Sequence, residues 1–81
     1  MNIEEIITGM NEVFKDVLEI DDLSINADTT ANDVEDWDSI NHIIIVVGIE
    51  KRFNVKFNSD EIHAFKNVGE MADTIKLKMT A

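Results

Sequence analysis

Hydrophobic residues near the start of the chain recur at intervals of three and four positions, which is the spacing of one face of an α-helix. This stripe consists of Ile3, Ile6, Ile7, Met10, Val13, Phe14, Val17 and Leu18. Asn2 precedes the stripe as a predicted N-cap, and Glu5 follows three positions later as in a capping box. The pattern predicts a long amphipathic first helix.

The periodicity disappears from Asp21 to Asp38, where Asp, Asn, Ser and Thr dominate the sequence. A few isolated apolar residues interrupt this polar run, namely Leu23, Ile25, Val34 and Trp37. Loops longer than about 15 residues are uncommon in compact domains and are often functional. We expect a long ordered loop that its apolar residues fasten to a core.

The segment from Asp38 to Phe53 is locally ambiguous, because its β-branched run also suits a buried strand. Its length, the cap signal at Asp38 and its charged end favour a helix. The predicted core face consists of His42, Ile45, Val46, Ile49 and Phe53. The predicted outer face consists of Ile40, Ile44, Val47, Gly48 and Lys51. An apolar outer face on a small domain usually indicates a partner surface, and Gly48 either permits close approach of that partner or has no role.

The last third of the chain predicts two further helices. Ser59 is the predicted N-cap of a short helix that ends near Phe65, and Asn67 is the predicted N-cap of the last helix. The inner stripe of the last helix is predicted to contain Val68, Met71, Ala72, Ile75 and Met79. We therefore expect an all-α fold in one domain, residues 1–81. It is a small four-helix bundle, three main helices and one short helix, with a long loop between the first two.

Composition excludes several kinds of chemistry. The 81 residues include no cysteine, so disulfides, thiolate nucleophiles and zinc–thiolate sites are excluded. The net charge of −10 is concentrated in residues 1–40, where 12 acidic residues and one basic residue give −11. Such a field repels nucleic acid and anionic membranes and steers basic protein surfaces toward the chain, or it only maintains solubility.

Neither a secretory signal nor a membrane span is predicted. The N-terminus lacks a basic region followed by a long apolar core. The most apolar run, Ile43–Ile49, is far shorter than the roughly 20 residues that cross a bilayer. We expect a soluble cytoplasmic protein.

Ser39 is the candidate functional side chain, because it follows the Asp38 cap at the start of the second helix. The helix dipole and the free backbone N–H groups there would stabilise an attached phosphate ester, although the local physics alone favours an ordinary first-turn serine. His42 lies one turn later, but no orienting group or oxyanion hole can be identified for a serine–histidine pair. We interpret His42 as a half-buried structural histidine and His63 as a surface or packing residue, so no catalytic residue is predicted.

The acidic stretch from Asp28 to Asp38 does not predict a metal site. An EF-hand loop needs a central glycine and a closing glutamate, and this stretch contains no glycine. Trp37, within the stretch, is predicted to anchor the loop near the start of the second helix or to flank an attached group.

Taken together, these features resemble the acyl carrier protein family over essentially the whole chain. The resemblance rests on length, acidity, the helix pattern, the long first loop and the motif Asp38-Ser39-Ile40, where the family usually has Asp-Ser-Leu. The run Ile49–Val55, Ile-Glu-Lys-Arg-Phe-Asn-Val, is also similar to the end of the family's second helix. The resemblance implies a carrier and not an enzyme.

The resemblance also implies a prosthetic group and partners. Ser39 would carry 4′-phosphopantetheine, which a phosphopantetheinyl transferase adds from coenzyme A and whose thiol holds acyl groups as thioesters. The other partners would be acyl-loading and acyl-transferring enzymes, and the chain would be a monomer. The resemblance implies partner recognition at Asp38, Ile40, Asn41, Ile44, Val47 and Glu50.

This chain departs from the family pattern on the outer face of the second helix. Carriers of fatty-acid synthesis usually have acids just after the motif, where this chain has Asn41 and Ile44, and Lys51 replaces another commonly acidic position. We expect weaker charge steering and stronger apolar docking at this face. The hypothesis is a specialised stand-alone carrier for fatty-acid-like, polyketide-like or other acyl biosynthesis.

Two alternatives stay open from the sequence. One is a peptidyl or aminoacyl carrier, such as a D-alanyl carrier, which would share the attachment chemistry. The other, from a different class, is a small acidic helical adaptor without a prosthetic group. It would bind a basic or amphipathic partner through Ile40, Ile44 and Val47.

Overall fold

The computed structural model describes residues 2–80, with side chains as far as residue 79. Four α-helices follow one another, α1 (Ile3–Leu18), α2 (Ser39–Phe53), α3 (Ser59–Ala64) and α4 (Val68–Thr80). Helix α1 packs against both α2 and α4, and the loop of residues 19–38 joins α1 to α2. Within residues 2–80 there is no strand. The prediction of an all-α bundle with one short helix is confirmed.

One hydrophobic core joins the three main helices and the long loop. Its fully buried side chains come from every main helix and include Ile6, Met10, Phe14, Ile45, Ile49, Met71, Ala72 and Ile75. The loop adds Ile25, Val34 and Trp37, so its predicted anchors are buried, and Leu23 is half-buried. Met79 is 39% exposed, and the prediction that it faces the core is wrong. It lies in the last turn of α4, beyond Ile75, where the core no longer covers the helix.

Side-chain caps begin the main helices. The N-caps predicted at Asn2, Asp38 and Asn67 are confirmed, because each side-chain oxygen accepts a hydrogen bond from the backbone N–H three residues later, at 2.8–2.9 Å. Such a bond satisfies one of the four N–H groups that every helix start leaves unpaired. The sequence therefore placed these three helix starts correctly.

Helix α3 begins differently from the prediction. Its N-cap is Asn58 and not Ser59, because Asn58 Oδ1 accepts from the Glu61 N–H while Glu61 Oε1 accepts from the Asn58 N–H. Glu61 also forms an ion pair with Lys78 of α4 at 3.0 Å. The backbone N–H of Asn58 and then Lys78 hold the pKa of Glu61 below its usual range. This carboxylate thus links the start of α3 to α4.

The long loop is fastened to α1 by one side chain. Asn11 Nδ2 donates to the carbonyl of Leu23 at 3.1 Å, and Asn11 Oδ1 accepts from the N–H of Ile25 at 2.9 Å. The two bonds satisfy backbone groups that no regular element would pair. They hold the first half of the loop in register with the core.

The start of α4 fastens the same loop from the other side. The N–H groups of Val68 and Gly69 donate to the carbonyls of Thr29 and Ala27 at 2.9 and 2.8 Å. A Cβ at Gly69 would lie 2.9 Å from the carbonyl oxygen of Ala27, so only glycine permits this close approach. The loop carbonyls therefore satisfy helix N–H groups in the first turn of α4.

Gly48 lies against α1, and its predicted position on the outer face of α2 is wrong. A Cβ built on Gly48 would stand 2.8 Å from Val13 Cγ1. Gly48 is half-buried, and its lack of a side chain lets α1 and α2 approach closely. The glycine is explained by packing inside the bundle and not by a partner.

In the part of the chain that the structure describes, the acids of the N-terminal half are not neutralised by ion pairs. Within the described range 2–80, the one ion pair joins Glu61 to Lys78, and neither residue lies among the acids of residues 1–40.

We predict that magnesium ions or moderate sodium chloride raise the melting temperature, because counter-ions screen the self-repulsion of these acids. Thermal unfolding followed by circular dichroism at constant pH checks this. A flat response would show that the acids do not destabilise the fold.

Candidate functional site

Ser39 is the first residue of α2, and its side chain is exposed. Asp38 holds an extended conformation before it, and the Asp38 carboxylate accepts from the N–H of Asn41 at 2.8 Å. The N–H groups of Ser39 and Ile40 belong to the first turn, where no earlier helical carbonyl is available to them. A group attached to Ser39 therefore meets open solvent on one side and backbone donors on the other.

His42 does not form a catalytic pair with Ser39. The indole N–H of Trp37 donates to His42 Nδ1 at 3.0 Å, and His42 Nε2 lies 2.9 Å from the carbonyl oxygen of Ile62. An indole nitrogen can only donate and a carbonyl can only accept, so these partners fit the tautomer that carries its proton on Nε2. Both ring nitrogens are engaged. The interpretation of His42 as a half-buried structural histidine is confirmed.

Trp37 anchors the end of the loop directly before the motif, as predicted. It is buried, with its ring edge-on to Phe14 at a centroid distance of 4.8 Å. It also stacks on His42, with centroids 5.9 Å apart and an interplanar angle of 29°. These ring contacts and the hydrogen bond fix the loop next to Ser39, so the attachment candidate stands on a rigid base.

A groove of about 340 Å³ opens beside Ser39. Its walls come from the loop, α2, α3 and the residues after α3. They are Ala31, Trp37, Asp38, Ser39, His42, Ile43, Ile62, His63, Phe65 and Lys66. His63 is exposed, in agreement with its prediction as a surface residue, and now proves to line this groove. No spacing of residues in the sequence predicts the groove, because its walls meet only through tertiary packing.

The outer face of α2 is apolar and exposed, as predicted. Ile40 is 75% exposed, Ile44 is 48% exposed and Val47 is 42% exposed. Ile43, which the sequence did not single out, belongs to the same face and is 44% exposed. The first turn of α2 contains no acidic residue, and Lys51 in its last turn is exposed. This surface therefore presents aliphatic side chains with a cation at the far end.

The polar residues predicted to recognise partners have contacts inside the chain. Asn41 Nδ2 donates to the carbonyl of Asp36 at 2.8 Å. Glu50 Oε2 accepts from the N–H of Phe57 at 2.9 Å, and Glu50 is half-buried. The carboxylate of Glu50 thus organises the connector between α2 and α3. The aliphatic residues are therefore the part of this face that is most available to a partner.

Neither a metal site nor a membrane helix is found in the described part of the chain. No group of three or more histidine, aspartate or glutamate side chains there could hold a metal ion. None of the described helices is long and apolar enough to cross a membrane.

Comparison with known proteins gives a consistent result. Residues 10–75 match the family described as "Phosphopantetheine attachment site". The acyl carrier protein of Acidothermus cellulolyticus is 33% identical over 72 residues, which cover 89% of this chain and 86% of that protein. The acyl carrier protein of Myxococcus xanthus is 32% identical over 72 residues, covering 89% and 91% of the two chains.

The fold agrees with these relatives. The solution NMR structure of a holo acyl carrier protein from Geobacter metallireducens superimposes with a TM-score of 0.84 at 31% sequence identity. The match covers 91% of this chain and 85% of that one. The resemblance seen in the sequence is confirmed, and the chain belongs to the acyl carrier protein family, whose members carry acyl groups on a 4′-phosphopantetheine group.

Proposed function

We propose that Ser39 is the residue that bears the 4′-phosphopantetheine group of this carrier. The observation that carries the proposal is an exposed serine hydroxyl at the start of α2, inside the matched region of residues 10–75. When bound, the group supplies a thiol for thioester formation, which the cysteine-free chain itself lacks. The protein then moves acyl groups between partner enzymes and catalyses no step.

The residues around Ser39 fit such a group. Its phosphodiester would be an anion at the N-terminus of a helix of 15 residues, where the helix dipole and first-turn N–H groups stabilise negative charge by about 0.3–1 kcal/mol. The groove beside Ser39 offers apolar walls to the rest of the arm. Asp38 is already engaged as the cap of α2, so its carboxylate is fixed in place next to the attachment point.

The attachment step is a phosphoryl-group transfer from coenzyme A. Ser39 Oγ forms a bond to the phosphorus next to the pantetheine part, the phosphoanhydride bond breaks, and adenosine 3′,5′-bisphosphate leaves. The hydroxyl proton goes to a base. His42 is not that base, because Trp37 and Ile62 engage both of its nitrogens. We assign the base to the transferase.

The experiment is co-expression with a broad-specificity phosphopantetheinyl transferase, followed by intact-mass measurement. We expect a mass increase of one phosphopantetheine group on the wild type and none on Ser39→Ala. Ser59→Ala is the matched control, since Ser59, like Ser39, is an exposed first residue of a helix that follows a side-chain cap, here Asn58. The control should keep the full increase. An unmodified wild type, or a modified Ser39→Ala, would reject the proposal.

We further propose that partners dock on the outer face of α2, mainly through Ile40, Ile44 and Val47. This proposal is supported by their exposure and by the lack of acidic residues in the first turn of α2. Asp38, Asn41 and Glu50 remain predicted recognition residues, although each also has an internal hydrogen bond. The face suits an enzyme with an apolar docking surface better than one that relies on a basic patch.

A housekeeping ketosynthase or malonyl transferase tests this specialisation. We expect the loaded protein to be used less well than the housekeeping carrier, because the α2 face lacks the usual acids. Asn41→Glu/Ile44→Glu should raise kcat/KM about tenfold, since two new charge contacts contribute on the order of 1.4 kcal/mol. Lys76→Glu on α4 is the control, because it changes the charge equally elsewhere. Wild-type turnover equal to that of the housekeeping carrier would contradict the proposal.

The class of cargo is proposed as acyl, with an aminoacyl or peptidyl group as the alternative. The relatives named acyl carrier proteins favour the first, and loading assays with acyl- and aminoacyl-adenylating enzymes separate the two. The adaptor alternative is not supported, because the chain matches a family of phosphopantetheine attachment sites. The cytoplasmic location, the monomeric state and the single domain of residues 1–81 remain predictions.

A further inference from the structure

We propose that the cationic end of α2, which consists of Lys51, Arg52 and Lys56, selects partner enzymes that present carboxylates to it. The inference rests on the proposed attachment to Ser39 and on the proposed docking through the outer face of α2. It adds to that face a charged contact of defined sign and position. An enzyme whose docking surface is a basic patch is rejected by the same cations.

The cationic end differs in charge from the rest of the chain. The 81 residues have a net charge of −10 and include seven Lys and Arg residues, of which three fall within positions 51–56. No acidic residue occurs between Lys51 and Asn58. A positive patch on an acidic protein attracts carboxylates that the remaining surface repels. The sign of the charge therefore changes along the docking face.

The three cations are exposed and have no ion-pair partner among residues 2–80. The one ion pair in that range joins Glu61 to Lys78. The carboxylate nearest in sequence belongs to Glu50, and it accepts from the N–H of Phe57 at 2.9 Å. The charges of the cationic end are therefore available to a second molecule.

Lys56 stands on a fixed base directly after α2. Asn54 ends the helix in the left-handed conformation, with φ 55°, and the N–H of Val55 donates to the Glu50 carbonyl at 3.1 Å. The side chains of Val55 and Phe57 are buried on either side of Lys56 in the sequence. Because both neighbours are anchored, this segment needs no ordering when a partner binds to Lys56.

Lys51 continues the apolar stripe of the docking face. Ile40, Ile44, Val47 and Lys51 follow one another at intervals of four, three and four positions, which places them on one side of the helix. At a rise of 1.5 Å per residue, Lys51 lies about 18 Å along α2 from Ser39. A partner that covers this stripe while it receives the arm meets the Lys51 ammonium group. Its carboxylates are expected about 18 Å from the opening that admits the arm.

Arg52 adds charge to the cationic end and also packs against α1. A Cβ built on Gly9 would lie 2.9 Å from Arg52 Nε and 2.7 Å from Phe53 Cζ. Gly9 thus leaves the space that both side chains use. The test therefore keeps Arg52 and changes the two lysines.

A protein surface is the occupant that these charges favour. Nucleic acid and anionic membranes are extended polyanions, and they would bring their charge against the 12 acidic residues of residues 1–40. An enzyme can place a few carboxylates opposite the cationic end and apolar side chains opposite the rest of the stripe. Complementarity of this kind determines specificity and association rate more than affinity.

The test uses the holo protein and a housekeeping malonyl transferase with a basic docking patch, in two forms. In the second form, the lysine and arginine residues of that patch are replaced by glutamate. We expect Lys51→Glu/Lys56→Glu to raise kcat/KM about tenfold with the first form at low salt and to lower it about tenfold with the second. High salt should reduce both effects.

The matched control for Lys51→Glu is Lys76→Glu on α4, because both replace an exposed helical lysine by glutamate. Lys76→Glu should change kcat/KM by less than about twofold with either form. Equal effects of the two single variants would overturn the inference, since only the net charge would then matter. If Lys51→Glu/Lys56→Glu does not fold, Lys51→Gln/Lys56→Gln replaces it and should act in the same directions.

Two further results would also overturn the inference. One is a change of melting temperature in the lysine variants without a change of kcat/KM, because the cations would then only stabilise the end of the helix dipole. The other is binding of the wild type to phosphatidylglycerol vesicles that the double lysine variant loses, which would assign the cationic end to a membrane.

The proposals on which the inference rests are checked in the same samples. Intact mass shows the arm before each assay, and a wild type without it would reject the attachment proposal and this inference with it. Ile44→Ala should lower kcat/KM with both forms of the enzyme, and an unaffected Ile44→Ala would reject the docking face. Unresponsive lysine variants beside a responsive Ile44→Ala would reject the selection by charge alone.

Discussion

Phe14→Ala is expected to lower the free energy of unfolding by about 3–5 kcal/mol, which is the usual cost of removing a buried phenylalanine. Phe14 is among the largest fully buried side chains, and its ring meets Trp37 edge-on at 4.8 Å. A domain of 81 residues has on the order of 4–12 kcal/mol of stability in total, so the variant should be partly or largely unfolded. Urea denaturation followed by circular dichroism measures the loss.

The same substitution should also change the fluorescence of Trp37. Without the Phe14 ring, Trp37 loses the surface against which it packs, so its emission should move toward that of a solvated indole. Ile40→Ala is the control, because Ile40 is apolar but 75% exposed, and its stability should change by no more than about 0.5 kcal/mol. Equal losses for the two variants would show that burial does not determine the stability of this fold.

The sequence predicted the elements whose signals are local. Three- and four-residue periodicity gave α1, and side-chain caps at Asn2, Asp38 and Asn67 gave three helix starts. At α3 two neighbouring residues, Asn58 and Ser59, both suit an N-cap. Only the reciprocal bonds between Asn58 and Glu61 decide between them. The local sequence thus predicts the start of a helix to within one residue, and the choice of the cap residue depends on which hydrogen bonds form.

The features that the sequence could not show depend on contacts between distant parts of the chain. A helical wheel predicts Gly48 on the outer face, because it does not include the close approach of Val13 from α1. Nothing in the sequence indicates the bond between the Glu50 carboxylate and the N–H of Phe57, and Glu50 stays a predicted recognition residue. The structural role of His42 was predicted from its position, but its partner Ile62 lies 20 residues away.

The candidate site likewise combines a feature with a local sequence signal and a feature that depends on contacts between distant residues. The motif Asp38-Ser39-Ile40 is contiguous, so a sequence suffices to find the attachment candidate. The groove beside it is assembled from the loop, α2 and α3, and its apolar residues Ile62 and Phe65 had no signal beyond their hydrophobicity. Recognition of the family therefore predicts where the arm is attached. Only the fold shows the groove beside the attachment candidate.

Asn11→Ala is expected to lower the free energy of unfolding by about 2 kcal/mol, because it leaves a carbonyl and an N–H of the loop without their partners. These groups belong to Leu23 and Ile25, whose bonds to Asn11 measure 3.1 and 2.9 Å. Both bonds are only partly buried, so water recovers some of the loss. Urea denaturation gives the total change, and hydrogen exchange of the Ile25 amide shows whether the loop opens by itself.

Two further variants serve as controls for the bonds that Asn11 forms with Leu23 and Ile25. Asn11→Asp keeps an oxygen for the Ile25 N–H but has no donor for the Leu23 carbonyl, and it adds a negative charge to the acidic half of the chain. It should therefore destabilise the protein at least as much as alanine, and added salt should recover part of the loss. Asn32→Ala changes an exposed asparagine of the same loop and should stay within about 0.5 kcal/mol of the wild type. If Asn11→Ala were equally neutral, the loop would be held by its buried apolar anchors and by the start of α4 alone.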